Sequence, residues 1–308
     1  MSRFVPNLYE SVRRRLSVRF GDDIEPWLDE APAVLGSLAE RWGLEFGELI
    51  PHGSMSVIIR CDTADGRAAV LKITPNRDRL EREAAALRSW ATPHAPSVYE
   101  VDLAVGALLT EAIEAGVMLR DTSGYPSIES IAELMSSLHT PGTPAAEFPP
   151  LSQFIAYIFD STARLRRLHP ELIELVPEDL YERGRRFAAR LAAEPSRPVL
   201  LHGDLTPVNV LEGGERGLVA IDPAGCLGDP AYEAIDLLVW RAADITTIEA
   251  RAAVLAPAIG VAEARLLDWC VTFAGMFAID LAGPGQRHDD NWRDQVDPLL
   301  RLASQAPR

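Results

Sequence analysis

The stretch LLHGDLTPVNVL, residues 200–211, constrains the fold more than any other part of the sequence. An apolar run is broken there by His202, Asp204 and Asn209, and a buried carboxylate is costly unless a partner or a metal stabilises it. The strand-like residues after Asn209 lead through the turn GGERG to a second run, LVAIDPAG, in which Asp222 directly precedes a proline. We therefore predict a hairpin that carries Asp204 and Asn209 at one end and Asp222 at the same end of its returning strand.

Three oxygen-bearing side chains at one end of a hairpin favour a magnesium site, because Mg²⁺ typically takes one or two carboxylates together with substrate phosphates. Phosphoryl transfer from ATP needs an Asp that accepts the proton of the attacking hydroxyl, and an Asn and a second Asp for the metal. The spacing HxDxxxxN matches the catalytic loop of kinases. We predict Asp204 and Asn209 as catalytic residues, with Asn209 and Asp222 as the Mg²⁺ ligands.

The upstream sequence offers a charged pair for the nucleotide phosphates. Lys72 lies in the strand-like run AAVLKI, which corresponds in order to the strand whose lysine reaches the phosphates in a kinase. In the following helical segment Glu83 lies near the buried stripe, whereas Glu81 points away from it. We predict Lys72 and Glu83 as an ion pair that binds the nucleotide.

Two further segments are placed in the nucleotide site by their order alone. The segment PHGSMSVII offers Gly53 and Ser54 where a loop could cover the phosphates, although it is not a full GxGxxG pattern. The segment LLTEAIEAG is predicted as a hinge whose backbone groups, from Glu111 to Ile113, would contact adenine.

The chain order predicts an α+β architecture with two lobes. Residues 1–113 form a nucleotide-binding lobe with a small antiparallel sheet, one main helix and a helical extension at 7–42 that is interrupted near Pro26 and Pro32. Residues 114–308 form a larger, mainly helical lobe that carries the catalytic loop and the acceptor pocket.

Composition narrows the classes of partner. The formal net charge of −15 disfavours nucleic acid, which needs a basic surface, whereas an acidic surface can attract a cationic small molecule. The three cysteines form no CxxC pair, and no apolar run is long enough to span a bilayer. We expect a cytoplasmic protein, monomeric or dimeric, without nucleic-acid or membrane partners.

Five stretches resemble the aminoglycoside phosphotransferase family, nearest its streptomycin 6-phosphotransferase and hydroxyurea phosphotransferase branch: EPWLDEAPAVLGSLAERWGL, SMSVIIRCDTADGRAAVLKI, EREAAALRSWA, LLHGDLTPVNVL and LVAIDPAGCLGDPAYEAIDLL. The resemblance implies a protein-kinase-like bilobal fold with ATP bound between the lobes, Mg²⁺, and His202 as a brace of the catalytic loop. In GDPAYEAID, Glu233 stands where the related pattern usually has Asp, so Asp236 could anchor the loop instead.

The resemblance also implies a small acceptor, a cationic, streptomycin-like antibiotic bound by the helical lobe. Carboxylates would bind such an acceptor and indole rings could form a wall, and the candidates are Glu233, Asp236, Asp280, Asp289, Asp290, Trp240 and Trp269.

Three alternatives remain open from the sequence. The acceptor could be hydroxyurea or a metabolite. A metal-dependent phosphohydrolase built on His202, Asp204 and Asp222 would leave Lys72 and Glu83 unexplained. A nucleotide-binding protein without catalysis is disfavoured by the intact set of site residues.

Overall fold

The structure is a computed structural model that describes residues 10–51, 53, 55–139, 147–195, 197–283 and 292–305. The chain divides into two compact units, Met1–Gly116 and Val117–Arg308. Their boundary follows Gly116, whereas the sequence placed it after Ile113. No helix in the described part of the chain is long and apolar enough to cross a membrane.

The first unit combines helices with an antiparallel sheet. Its described elements are, in chain order, α1 (Glu10–Phe20), α2 (Glu25–Trp42), β1 (Glu45–Leu49), β2 (Val57–Asp62), β3 (Ala68–Ile73), α3 (Arg77–Trp90), β4 (Val98–Asp102) and β5 (Ala107–Glu111). The sheet order is β1-β2-β3-β5-β4, and every neighbouring pair is antiparallel. Strand β3, which contains Lys72, is therefore the central strand.

Local sequence signals account for the connections around β3. The turn TADG joins β2 to β3, and Gly66 adopts a left-handed φ of +79° that a residue with a side chain rarely tolerates. Helix α3 begins after Asn76, whose side-chain oxygen accepts the backbone N–H of Arg79 at 3.1 Å. This N-cap satisfies one of the amides that a helix start leaves open, and it fixes where α3 begins.

The two N-terminal helices pack into the same core as the sheet. Leu16 of α1 and Leu28 of α2 are fully buried in one cluster with Ile59 and Leu71 of the sheet. Helix α2 continues through Pro32, so the interruption predicted there is wrong. A proline costs one helical hydrogen bond, and the burial of the apolar stripe on both sides of it outweighs that loss.

The second unit is mainly helical. Its described elements are, in chain order, β6 (Val117–Met118), α4 (Ile128–Leu138), α5 (Leu151–Leu168), α6 (Glu171–Leu175), α7 (Glu178–Ala193), β7 (Val199–Leu201), β8 (Val210–Glu212), β9 (Leu218–Ala220), β10 (Cys226–Gly228), α8 (Pro230–Glu233), α9 (Ile235–Val239), α10 (Ile245–Ile259), α11 (Glu263–Ala282) and α12 (Trp292–Ala303). Strands β6, β8 and β9 form one small sheet, and β7 pairs with β10 in another.

An aromatic cluster fills the helical core beside these short strands. Trp269 and Phe273 of α11 meet Tyr232 of α8 edge to face, with ring centroids 5.3 and 5.6 Å from that of Tyr232. Phe159 of α5 joins them through Phe273 at 5.6 Å. These contacts fix α8, and with it the residue at its end, Glu233, relative to the rest of the unit.

Candidate active site

Two short antiparallel pairs position the predicted catalytic loop. Strand β7 ends at Leu201, and β8 and β9 form the hairpin that the sequence predicts. The N–H of Ile221 donates to the carbonyl of Asn209 at 2.9 Å, and that of Ala224 donates to the carbonyl of His202 at 2.8 Å. Asn209 and Asp222 therefore lie at one end of the hairpin, on backbone that is tied to the loop carrying Asp204.

His202 braces this loop from inside. Its ring is fully buried, Nε2 lies 2.8 Å from the carbonyl of Ile221, and Nδ1 accepts the N–H of Asp204 at 3.3 Å. A ring nitrogen that accepts an N–H carries no proton, so the proton is on Nε2, which donates to Ile221. His202 thus links the loop that carries Asp204 to the backbone that follows β9.

The backbone conformation at position 203 requires a glycine. Its φ is +79°, and a Cβ there would lie 3.4 Å from the side chains of both Ala224 and Cys226. A side chain would therefore be strained in conformation and tightly packed, which explains a glycine between His202 and Asp204.

Glu233 anchors the catalytic loop. Its carboxylate is 3% exposed, and its two oxygens accept the backbone N–H of His202 and, at 2.9 Å, that of Gly203. The side chain of His139, at the end of α4, lies 3.7 Å from the same carboxylate. The expectation that Glu233 would bind the acceptor and that Asp236 would anchor the loop is therefore wrong: the longer glutamate reaches both amides and is buried doing so.

The amide and carboxylate at the hairpin end fit Mg²⁺. The Asn209 side-chain NH₂ donates to the carbonyl of Asp204 at 2.8 Å, so its other atom, Oδ1, is the one suited to a metal. Asp222 has a φ of +64°, a conformation that Asp tolerates better than most residues and that is common at functional sites. Within the described residues no group of three or more His, Cys, Asp or Glu side chains could hold a metal ion alone. One amide and one carboxylate form the sparse protein donor set that Mg²⁺ uses when phosphates complete its coordination.

Like charges accumulate around Asp236. Burial and then, in decreasing order, the charges of Asp204, Asp280 and Glu233 together raise the pKa of this carboxyl to about 8. Asp280 itself lies exposed on α11. This part of the second unit is therefore a region where a bound cation would relieve repulsion between carboxylates.

The two tryptophans proposed as a pocket wall lie in different surroundings. Trp269 is fully buried, and its Nε1 donates to Asp229 at 2.8 Å, so it is a core residue and its prediction as a pocket wall is wrong. Trp240 is half-buried, and the guanidinium of Arg241 lies 4.4 Å from its ring centre. One face of that ring is therefore already covered. Asp289 and Asp290 lie outside the described residues.

The predicted charged pair is formed in the first unit. Lys72 Nζ lies 2.6 Å from Glu83 Oε1, and their side chains are 11% and 6% exposed. Glu81 is exposed on the other side of α3. A short hydrogen-bonded ion pair away from water holds the lysine in one position beside the central strand.

The predicted hinge follows the end of β5. The backbone N–H of Glu111 donates to Ser97 at 2.9 Å and that of Ala112 to Ala68 at 3.2 Å, after which the chain leaves the sheet at the buried Ile113. Ser54 of the predicted phosphate loop lies outside the described residues, whereas Gly53 is described. Gly53 has a φ of +118°, and a Cβ there would come within 2.7 Å of Ile58 Cδ1.

The sequence profile of one family, described as "Aminoglycoside/hydroxyurea antibiotic resistance kinase", matches residues 41–285 of this chain. The chain belongs to this family. The resemblance drawn from the motifs is thereby confirmed, and so is the enzyme class, a phosphotransferase.

Two proteins that are similar to this antibiotic resistance kinase family member have names that state an acceptor. A hydroxyurea phosphotransferase from Kitasatospora aureofaciens is 28% identical over 235 residues, which cover 71% of this chain and 64% of that protein. A streptomycin 3''-kinase from Klebsiella pneumoniae is 29% identical over 267 residues, which cover 80% of this chain and 91% of that protein. The chain thus matches slightly less than two thirds of the first relative's length and nearly all of the second's.

Solved structures agree on the fold. A choline/ethanolamine kinase family protein from Mesorhizobium loti superposes with a TM-score of 0.60 at 21% identity, covering 91% of this chain and 95% of that one. The aminoglycoside phosphotransferase APH(2'')-Ib, solved with ADP bound, gives 0.52 at 16% identity, covering 88% and 96%. These likenesses confirm the predicted α+β, protein-kinase-like fold.

Proposed function

We propose that this chain transfers the γ-phosphoryl group of ATP, with Mg²⁺, to a hydroxyl of a small cationic antibiotic of the streptomycin type. The observation that carries the proposal is the arrangement around Asp204. Glu233 and His202 hold the loop of this residue rigidly, Asn209 and Asp222 lie at the end of the adjoining hairpin, and further carboxylates surround Asp236.

Asp204 accepts the proton of the acceptor hydroxyl as its oxygen attacks the γ-phosphorus. The bond between that phosphorus and the bridging oxygen breaks, and ADP leaves with the electron pair. Asn209 and Asp222 would hold Mg²⁺, which when bound would neutralise the charge on the phosphate oxygens. The chain supplies positioning and electrostatic stabilisation, and it forms no covalent bond to the phosphoryl group.

The first unit holds the nucleotide in this proposal. Lys72, fixed by Glu83, neutralises the phosphates, and the loop that contains Gly53 and Ser54 covers them. Backbone groups of Glu111 and Ile113 contact adenine. The mechanism of a phosphohydrolase would not explain the buried ion pair of Lys72 and Glu83, and we therefore favour a kinase.

The second unit binds the acceptor in this proposal. The charges of Asp204 and Asp280 both act on the Asp236 carboxyl. An ammonium group bound among these three carboxylates would offset the repulsion that contributes to the raised pKa of Asp236. Hydroxyurea carries no such charge. It remains the second candidate, because a phosphotransferase for it is among the relatives.

The other expected properties follow from composition. All three cysteines are buried free thiols, as suits a reducing compartment, and we expect the chain to act in the cytoplasm as a monomer or dimer. With a net charge of −15, nucleic acid and anionic membranes are unfavourable partners.

The direct test is ADP formation from Mg-ATP across a panel of acceptors. The panel contains streptomycin, other aminoglycosides, hydroxyurea and simple amino alcohols, with mass spectrometry of the products. The proposal expects ADP to form with streptomycin and the product to gain one phosphate. Turnover with hydroxyurea alone would show that hydroxyurea, and not a streptomycin-type antibiotic, is the acceptor. Release of phosphate from monoesters without ATP would refute the assignment as a kinase.

A further inference from the structure

Arg15 of α1 contacts both ends of the loop that joins β1 to β2. Its Nη1 donates to the carbonyl of Pro51 at 2.6 Å, and its Nη2 donates to the carbonyl of Ser56 at 3.3 Å. This is the loop that carries Gly53 and that the proposed function places over the nucleotide phosphates. One side chain thus joins the segment that enters the loop to the segment that leaves it.

The backbone of Arg15 is itself fixed. Val12 and Leu16, on either side of it in α1, are buried in the core of the first unit. Arg13 pairs with Glu25 at 2.8 Å and with Asp29 at 2.6 Å, which ties α1 to α2. The helix is therefore a rigid base from which the guanidinium reaches the loop.

The guanidinium is also partly removed from water. Burial lowers the pKa of Arg15 from its ordinary value, and its Nε is a buried atom with no hydrogen-bond partner among the described residues. A charged group held in such surroundings loses solvation, and its two bonds to carbonyl oxygens compensate for part of that loss. An arginine used only for solubility would extend into water instead.

A second side chain contacts the same loop near Gly53. Gly53 adopts a φ of +118°, and Thr74, at the end of β3, donates its hydroxyl to the carbonyl of Met55 at 2.8 Å. Carbonyls of the loop are thus held by Arg15 and Thr74.

We propose that Arg15 is a positioning residue that holds the β1–β2 loop in the shape that receives the nucleotide phosphates, an inference that rests on the proposed function. Helix α1 lies outside residues 41–285, which match the family, so this role belongs to an extension that the family match does not cover. Within the described part of the chain, the hydrogen bonds of Arg15 go to the loop backbone, and Arg15 acts on the phosphates through that backbone.

The test compares the binding of Mg-ATP with that of adenosine, which lacks the phosphates. Calorimetry measures Mg-ATP and competition measures adenosine, both on the full chain, for the wild type and for Arg15→Ala, Arg15→Gln and Arg15→Lys. Arg14→Ala is the matched control, because Arg14 lies next to Arg15 in α1 and is exposed. Thermal melting of each variant identifies any that fails to fold, and Arg15→Gln retains a polar side chain in case Arg15→Ala does not fold.

We expect Arg15→Ala and Arg15→Gln to weaken Mg-ATP binding about tenfold and to leave adenosine binding unchanged. Arg15→Lys is expected to be intermediate, and Arg14→Ala to match the wild type. Equal losses for Mg-ATP and adenosine, or no loss for Mg-ATP, would overturn the inference while the proposed function stands. A wild-type protein that does not bind Mg-ATP would overturn both.

Discussion

The two units treat buried charge in opposite ways. In the first unit Lys72 and Glu83 form a pair of opposite charges at 2.6 Å. In the second unit burial, together with the charges of Asp204, Asp280 and Glu233, raises the pKa of Asp236 to about 8. The first arrangement is neutral as it stands, whereas the second gains stability when a cation binds. In the proposed function, the neutral pair is in place before the nucleotide binds, whereas the repelling carboxylates are stabilised only when a metal or a cationic acceptor binds.

Glu233 is a carboxylate of the second unit that the protein itself stabilises, without a bound cation. Two backbone amides, those of His202 and Gly203, donate hydrogen bonds to its carboxylate. Hydrogen bonds to the ionised form stabilise a carboxylate without any cation. The contrast therefore separates carboxylates that build the loop from carboxylates that face a ligand.

Breaking the neutral pair should have the largest effect on stability. Glu83→Ala leaves the Lys72 ammonium buried without its partner, and we expect a loss of roughly 3–5 kcal/mol in the free energy of unfolding. Urea unfolding measures it, with Glu81→Ala, on the exposed side of the same helix, as the control. If both variants lost the same small amount, the first unit would not depend on the pair.

Removing one acceptor from the loop anchor should have an intermediate effect. Glu233→Gln retains one carbonyl oxygen for the two amides, so we expect about 1.5–3 kcal/mol of lost stability together with slower turnover. The control is Glu212→Gln, an exposed position on β8 of the same unit. Unchanged turnover in a stable Glu233→Gln protein would show that the loop does not need both contacts.

Removing the Asp236 carboxyl should change stability in the opposite direction, because this carboxyl destabilises the folded protein when it is ionised. A carboxyl whose pKa rises from 3.8 to about 8 on folding binds its proton more tightly in the native state. Its contribution to stability is complete below pH 4 and is lost as the pH rises through 8. Asp236→Asn should therefore melt at a higher temperature than the wild type at pH 8, with a smaller difference at pH 5.

The control for this pH dependence is Asp297→Asn, which changes an exposed carboxyl of α12. A melting difference for Asp236→Asn that does not grow between pH 5 and pH 8 would mean that its carboxyl is not repelled as described.

Sequence patterns predicted the parts of the site that depend on local spacing. The hairpin with Asn209 and Asp222 at one end follows from two short apolar runs and a glycine-rich turn. The pairing of Lys72 with Glu83, and not with Glu81, follows from which face of an amphipathic helix is buried. Both inferences needed only periodicity and chain order.

Contacts between distant segments could not be predicted in this way. Glu233 lies 30 residues after Gly203, and only the packing of α8 beneath the loop shows that it is the anchor. The sequence around Trp269 is compatible with a pocket wall and with a core position. The hydrogen bond of Trp269 to Asp229 shows that it is a core residue. The contacts of Arg15 join an N-terminal helix to a loop 36 residues away, and no local signal marks them.

The most direct test of the central claim separates nucleotide binding from chemistry in Asp204→Asn. Calorimetry with Mg-ATP and the rate of ADP formation with the best acceptor are measured on the same protein preparation. The account predicts Mg-ATP affinity close to that of the wild type, with turnover reduced by about 10²–10⁴-fold, the usual contribution of a general base. Turnover near the wild-type rate would contradict the assignment of Asp204 and the division of roles between the two units.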